Sequence, residues 1–195
     1  MATVSLKKIF LYICISFSII FAKELKVVSL APGFTYQLYK LKRGGAIVAN
    51  TTYCKLPPAA QNKTKIGSVV NINVEKIYAL RPDLVISSTL TRKNQIEKLR
   101  QLGIQVKIFQ RSNIYSDIMK QYLEIAKLVE RKKLAHRQLD SINTIINRIK
   151  QKIKHRKSRR IFFQIGSDPL YAANRSSFIN DLINFANCEN IIETE

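Results

Sequence analysis

One short stretch of the sequence carries the side chain best suited to contact a ligand. Residues 51–60 read TTYCKLPPAA, which places Tyr53 on a loop just before the Pro57-Pro58 pair. A tyrosine on a loop offers a flat face and one hydroxyl, and both suit stacking against a planar ligand. The alternative is that the ring packs over Pro57-Pro58. We take Tyr53 as a candidate ligand contact.

The residue types that enzymes and metal sites require are scarce. The two histidines, His136 and His155, lie among lysines and arginines, where exposure to solvent is the simpler interpretation. Gly33 and the Gly44-Gly45 pair lack the spacing of a phosphate-binding loop. A chain poor in histidine is also a poor candidate for direct capture of a transition metal. The sequence therefore predicts a protein that is not an enzyme and that has neither a metal site nor a cofactor.

The helix and strand that follow Tyr53 in the sequence carry further candidate functional residues. A helix is expected over Asn73–Leu80, because its first residue can cap it and Glu75 lies in the first turn, where the helix dipole favours a carboxylate. The apolar residues of Asp83–Ser87 then predict a buried parallel strand. Ser87 ends that strand, and ligands bind outside the carboxyl ends of strands in an open α/β sheet.

The first strand leads to the same edge of the sheet. Residues 26–30 predict a strand, and Pro32 and Gly33 turn the chain into a helix over Phe34–Leu41. The carboxyl ends of parallel strands share one edge, so Pro32 and Gly33 join Ser87 as candidate ligand contacts.

The remaining pattern up to residue 115 completes an α/β unit. Gly44-Gly45 is expected to end the first helix before a strand over 46–49. Gly103 is expected to cap a helix over 92–102, ahead of a strand over 104–109. Four short strands that alternate with helices predict a Rossmann-like N-terminal lobe over residues 23–115.

A helical linker is predicted over residues 116–158. Apolar residues recur there at helical spacing, and neither glycine nor proline occurs from 116 to 154. A single helix would be about 58 Å long, so we expect two helices with a break at Glu130-Arg131. A coiled coil is the alternative, although the apolar stripe is interrupted at Lys132-Lys133.

Residues 159–195 predict the start of a C-terminal α/β lobe. We expect a strand over Ile161–Ile165 and a helix over Ser176–Ala186, whose end at Asn187 tolerates the left-handed conformation. One strand and one helix cannot bury a core, so this lobe is expected to be incomplete. The loop between them supplies further candidate ligand contacts, namely Asp168, Pro169, Leu170 and Tyr171.

The charge balance is strongly basic. The chain has 33 Lys+Arg against 13 Asp+Glu, a formal net charge of +20. Such a charge suits nucleic acid or an anionic membrane. The simpler interpretation is that basic side chains are spread over solvated faces, and the densest run, residues 150–160, comes without an RNA-binding aromatic signature or zinc-ligand spacing. We expect no nucleic-acid partner.

Residues 1–22 have the pattern of a secretory signal peptide. Lys7-Lys8 precede an apolar run over Ile9–Phe21, which is short for a membrane span, and Ala22 follows. We expect export and cleavage after Ala22, with an uncleaved membrane anchor as the alternative. Cys14 lacks the small preceding residues of a lipoprotein site.

Three segments of the chain together resemble one family. They read TTYCKLPPAA, NINVEKIYALRPDLVIS and RIFFQIGSDPLYAANRSSFINDLI. In this order, over residues 26–194, the chain is similar to the class III periplasmic solute-binding proteins, which deliver cobalamin, siderophores or haem to ABC transporters. It is most similar to the cobalamin-binding branch. The resemblance implies a helical-backbone fold with ligand between two lobes, and a monomeric extracytoplasmic protein that works with a permease and its ATPase.

The resemblance also implies roles for individual residues. Tyr53 would contact a cobalt- or iron-containing chelate, and Glu75 would pair with an arginine of the transporter. Cys54 and Cys188 would fall on different lobes, so no disulfide is expected. The family has Pro-Ser where this chain has Pro32-Gly33.

Two alternatives to a cobalamin carrier stay open. One is a siderophore or haem carrier of the same family, in which Tyr53 could serve as an axial haem ligand. The other follows from the expectation that the chain is truncated, since its relatives continue through further strands and helices. It is a basic surface protein that no longer transports a ligand.

Overall fold

The computed structural model describes residues 24–193, so the expected signal peptide lies outside the described residues. No helix within this part of the chain combines the length and apolar character that a bilayer crossing requires. The helices are α1 Pro32–Lys40, α2 Val74–Ala79, α3 Lys93–Gln101, α4 Tyr115–Leu128, α5 Lys132–Ile153 and α6 Phe178–Phe185. The strands are β1 Val27–Ser29, β2 Ile47–Asn50, β3 Thr64–Lys65, β4 Leu84–Ser88, β5 Val106–Phe109, β6 Arg159–Ile161, β7 Gln164–Ser167, β8 Leu170–Ala172 and β9 Cys188–Asn190.

The first five strands form one parallel sheet in the order β3-β2-β1-β4-β5. Helices cover both of its faces. Leu38 of α1 and Ile125 of α4 pack against one face, and Ile77 of α2 and Leu99 of α3 pack against the other. The α/β class predicted from the alternating pattern is therefore confirmed.

The parallel sheet gives this part of the molecule two chemically different edges. Every loop that follows one of these strands lies at what we call the carboxyl edge, which includes Pro32 after β1 and Tyr53 after β2. Every segment that leads into a strand lies at the amino edge, which includes Leu25 before β1 and Lys42 before β2. The carboxyl edge and the amino edge thus lie at opposite ends of the strands.

Two details of this lobe differ from the sequence prediction. The sequence predicted four strands, and β3 was missed because its two residues, Thr64 and Lys65, are too few for a periodic signal. The prediction that Gly44-Gly45 ends the first helix is wrong, since α1 ends at Lys40 and Lys42 adopts the left-handed conformation at φ 56°. Gly44 is needed for another reason, because a Cβ there would run into the Tyr39 ring.

The helical linker contains the predicted break. Glu130 has φ 57°, and the Arg131 N–H donates to the Ala126 carbonyl at 2.7 Å, so α4 is closed before α5 begins. The Tyr122 hydroxyl donates to Gln138 Oε1 at 2.5 Å, which fixes α5 antiparallel against α4. With 22 residues against 14, α5 is about 33 Å long and α4 about 21 Å. The far end of α5 therefore extends past the carboxyl edge.

Residues 159–193, which we call the C-terminal region, differ most from expectation. The predicted strand Ile161–Ile165 is wrong as one element, because β6 and β7 belong to different sheets and Phe162-Phe163 separates them. β6 pairs in parallel with β9, and β7 pairs antiparallel with β8. Asn187 has φ 53° at the end of α6, as predicted.

The C-terminal region is joined to the linker at the carboxyl edge. The backbone N–H of Tyr115 at the start of α4 donates to Asp181 Oδ2 of α6 at 2.6 Å. The Tyr115 and Phe185 rings meet edge to face at 5.2 Å, and Lys150 Nζ lies 4.7 Å from the Phe185 ring centre. Asp181 thus supplies α4 with a cap that its own N-cap residue, Ile114, does not provide.

Candidate ligand-binding site

A groove at the carboxyl edge brings three of the predicted ligand contacts together. Its volume is about 400 Å³, and Pro32 and Gly33 of α1 line it with Tyr53 from the loop after β2. Tyr53 is 62% exposed, so most of its ring faces solvent and is not covered by Pro57-Pro58. The groove thus presents an aromatic ring with an accessible hydroxyl.

Buried side chains hold the Tyr53 loop at both ends. At its start, the Thr51 hydroxyl and the Thr35 hydroxyl both lie 3.2 Å from Cys54 Sγ, and all three residues are buried. At its end, Asn50 Nδ2 donates to the Ala60 carbonyl at 2.9 Å. The loop is therefore fixed to the sheet while Tyr53 itself stays exposed.

Lys65 of β3 strengthens the attachment at the end of the Tyr53 loop, around Ala60. Its Nζ donates to Asn50 Oδ1 at 2.7 Å and to the Ala60 carbonyl at 2.9 Å. Lys65 is half-buried, so these bonds replace much of its hydration. Sequence reasoning missed Lys65 because nothing local connects it with residue 50 or 60.

The groove includes three residues that sequence reasoning missed. Lys55 and Leu56 follow Tyr53 in the same loop, and Tyr36 lies on α1, one helical turn after Pro32. The spacing of four residues places Pro32 and Tyr36 on one face of the helix, and this signal was available in the sequence. Lys40 Nζ lies 5.1 Å from the Tyr36 ring centre, which adds positive charge beside the groove.

Ser87 was predicted as a ligand contact at the carboxyl edge, and the structure places its side chain inside the lobe. It is fully buried, and its hydroxyl donates to Thr91 Oγ1 at 3.0 Å. Thr91 Oγ1 donates in turn to the Val69 carbonyl at 2.8 Å. Ser87 and Thr91 therefore connect the end of β4 with the segment at Val69 inside the lobe.

Asp168, Pro169, Leu170 and Tyr171 lie on the hairpin of β7 and β8. Leu170 and Tyr171 are exposed, and the Tyr171 ring occupies the space that a Cβ on Gly166 would need. Within residues 24–193, none of the four belongs to the lining of the Tyr53 groove. Their assignment as ligand contacts stays a prediction.

Glu75 lies in the first turn of α2, where Asn73 caps the helix by accepting the Lys76 N–H at 2.7 Å. Lys98 Nζ lies 2.8 Å from Glu75 Oε1. The pKa of Glu75 is lowered, mainly because Lys98 donates this hydrogen bond to its carboxylate, with a smaller effect of a backbone hydrogen bond and of the Lys98 charge. Glu75 is thus an exposed, ionised carboxylate on the surface of the lobe.

The acidic, histidine and cysteine side chains of the described residues are the ones that a metal site or a disulfide would require. No group of three or more His, Cys, Asp or Glu side chains in residues 24–193 is arranged to hold a metal ion. Cys54 and Cys188 are both free thiols.

Comparison with known proteins gives a consistent result. A model of the family described as "Periplasmic binding protein" matches residues 27–195. The chain is 28% identical over 172 residues to an uncharacterized ABC transporter substrate-binding lipoprotein, YvrC, of Bacillus subtilis, with 85% of this chain and 54% of that protein covered. It is 25% identical to a vitamin B12-binding protein of Pectobacterium atrosepticum, with 85% of this chain and 61% of that protein covered.

Among solved structures, the S. aureus protein IsdE complexed with heme superposes with a TM-score of 0.70 at 25% identity. The match covers 88% of this chain and 67% of IsdE. The chain thus spans 54% and 61% of the length of the two curated relatives.

Proposed function

The chain belongs to the periplasmic binding protein family, and on that premise we propose that it is the extracytoplasmic substrate-binding component of an ABC importer. In this proposal it captures cobalamin at the Tyr53 groove, between two lobes, and delivers it to a permease and its ATPase. It acts as a monomer and catalyses no reaction. The vitamin B12-binding relative supports cobalamin as the first candidate ligand.

The observation that carries the proposal is the exposed Tyr53 ring on an anchored loop. A corrin ring is a large flat surface, and an aromatic side chain on a loop that is already anchored needs less ordering to stack against such a surface than one on a free loop. Pro32, Leu56 and Tyr36 add apolar area around it.

A haem or iron-siderophore ligand is the second candidate, and the Tyr53 hydroxyl favours it. A tyrosine oxygen can serve as an axial ligand of haem iron. The heme complex of IsdE gives this alternative support from a related fold.

The binding test titrates the purified chain with cyanocobalamin, haemin and a ferric siderophore by isothermal titration calorimetry. We expect one-to-one binding of one ligand. Tyr53→Ala should weaken it about thirtyfold, as for a buried aromatic contact worth about 2 kcal/mol. Tyr78→Ala is the matched control, because Tyr78 is similarly exposed at 53% but lies on α2, outside the groove.

Two further variants separate the candidates. Tyr53→Phe keeps the ring and removes the hydroxyl, so it should preserve stacking on a corrin and abolish axial ligation of haem. Lys65→Met should weaken either ligand, because it loosens the loop without touching the groove. Failure of all three ligands to bind a folded chain, or equal losses in the Tyr53 and Tyr78 variants, would contradict the proposal.

We assign docking on the permease to Glu75, whose exposed carboxylate can pair with a cationic side chain in place of Lys98. Glu75→Gln should leave the calorimetric affinity unchanged and lower ligand uptake in cells. Unchanged uptake would contradict this role.

A further inference from the structure

A second groove lies at the amino edge of the sheet, opposite the candidate ligand site. Its volume is about 780 Å³, and it is lined by residues from the segment before β2, the end of α4 and the start of α5. We call it the basic groove and define it by its six cationic residues, Lys42, Lys127, Arg131, Lys132, Lys133 and Arg137.

The charge of the basic groove is not balanced locally. Within the described residues, the acidic lining is Glu130 alone, and its carboxylate lies 3.6 Å from Arg43, outside the groove. None of the six cationic residues forms an ion pair with another residue of the 24–193 range. Lys127, Lys132 and Lys133 are exposed, so their charges are available to a partner.

The position of these charges is unfavourable for the isolated protein. Lys132 and Lys133 are the first residues of α5, and Arg131 precedes them. The start of a helix carries partial positive charge, which repels cations. Helix stability alone therefore does not explain three basic residues at this place, whereas an anionic partner would.

The amino edge is also where the N-terminal segment joins the lobe. Glu24 and Leu25 line a groove next to the basic groove, and Lys42 and Glu130 line both. In the sequence, the apolar run Ile9–Phe21 ends just before Glu24. The residues between them can reach about 7 Å when extended. An apolar segment that enters a bilayer would thus bring the basic groove to the bilayer surface.

We propose that the basic groove is a docking surface for an anionic phospholipid bilayer. Phosphate headgroups attract clustered lysine and arginine side chains, and each such side chain near the surface adds to the binding. The attraction does not require the apolar segment to be retained. In this orientation the Tyr53 groove, at the opposite edge, is open to arriving ligand, and transfer to the permease through Glu75 would follow release of the basic groove from the bilayer.

The test measures sedimentation of the full-length protein with vesicles of phosphatidylcholine mixed with phosphatidylglycerol, and with vesicles of phosphatidylcholine alone. An apolar segment would bind both kinds, so the difference between them reports the basic groove. We expect stronger binding to the anionic vesicles, and this preference should fall steeply with added salt. Equal binding to both kinds, or a preference that salt does not change, would overturn the proposal.

Charge-removing variants locate the surface. The variant K127Q/K132Q/K133Q should lower the partition coefficient on anionic vesicles about a hundredfold. R92Q/K93Q/R100Q removes the same charge from exposed positions on and next to α3, across the sheet, and should leave the coefficient nearly unchanged. Equal losses in both variants would show that only net charge matters and would overturn the proposal.

A soluble polyanion is the competing partner. A DNA duplex is the probe for this partner. If it binds the protein more tightly than the anionic vesicles do, and if K127Q/K132Q/K133Q abolishes that binding, the partner is a soluble polyanion and the proposal is overturned. None of these outcomes depends on ligand binding at Tyr53, because both variants leave that groove intact.

Discussion

The parallel sheet of the N-terminal half and the C-terminal region contain similar apolar runs of sequence. These runs are buried in the sheet and largely exposed in the C-terminal region. Val27, Val85 and Ile86 in β1 and β4 are completely buried, because strands flank them and helices cover both faces. Phe162, Phe163 and Ile165 form an equally apolar run, yet they are 47%, 45% and 50% exposed. Burial therefore depends on how many neighbouring elements surround a run, and hydrophobicity of the run does not decide it.

The same contrast separates the two sets of predicted ligand contacts. Asn50, Lys65 and Ala60 fix the loop that carries Tyr53 to the sheet. The hairpin that carries Tyr171 belongs to a sheet of two strands, and within residues 159–193 only Ala173 and Ile183 are buried apolar side chains. A site that must hold its geometry without ligand is thus better supported in the N-terminal half.

The largest expected effect comes from comparing two helical leucines. Leu38 of α1 is fully buried, and Leu182 of α6 is 48% exposed. Leu38→Ala should lower the free energy of unfolding by about 2–5 kcal/mol, because it leaves a cavity in a packed core. Leu182→Ala should cost less than about 1 kcal/mol. Urea unfolding followed by circular dichroism measures both, and equal costs would mean that Leu182 is buried in solution.

A smaller effect tests the bond that joins the two regions. Asp181→Ala should lower the free energy of unfolding by about 1 kcal/mol, as for loss of a helix cap, and should speed hydrogen exchange at the Tyr115 amide. Asp181→Asn keeps an acceptor oxygen and should lose less. If Asp181→Ala changes neither quantity, the contact between Asp181 and Tyr115 does not stabilise the junction.

The smallest effect concerns an exposed pair on the N-terminal lobe. Because the folded-state pKa of Glu75 is below its ordinary value, its pairing with Lys98 stabilises the fold above the ordinary pKa. This contribution is lost as the pH falls through the lowered folded-state pKa. Lys98→Met should raise the pKa of Glu75 toward its ordinary value, which an NMR titration of the Glu75 carboxyl carbon measures. Lys93→Met, on the same helix, is the control, and an equal shift there would contradict the assignment to Lys98.

Sequence reasoning predicted the regions whose structure is determined locally. The Asn73 cap, the break at Glu130 and the left-handed Asn187 were all predicted from nearby residues. Strands that depend on pairing with a distant segment were not predicted. Examples are β3, which pairs with β2, and β9, which pairs with β6. Tyr53 was predicted as a ligand contact because the sequence places an aromatic side chain on a loop, and that role stays a prediction. The hydrogen bonds of Lys65 to Asn50 and Ala60 could not be predicted, because they depend on contacts across the fold.

The order of the strands along the chain has a consequence for biosynthesis. All five strands of the parallel sheet come from residues 27–109, and the two core clusters extend no further than Leu139. A chain that emerges amino end first therefore presents a complete core while residues 159–193 are still to follow. Domains formed from early, contiguous segments fold first during synthesis. The sheet would then serve as a finished template, and Tyr115 would be in position to receive Asp181 when it arrives.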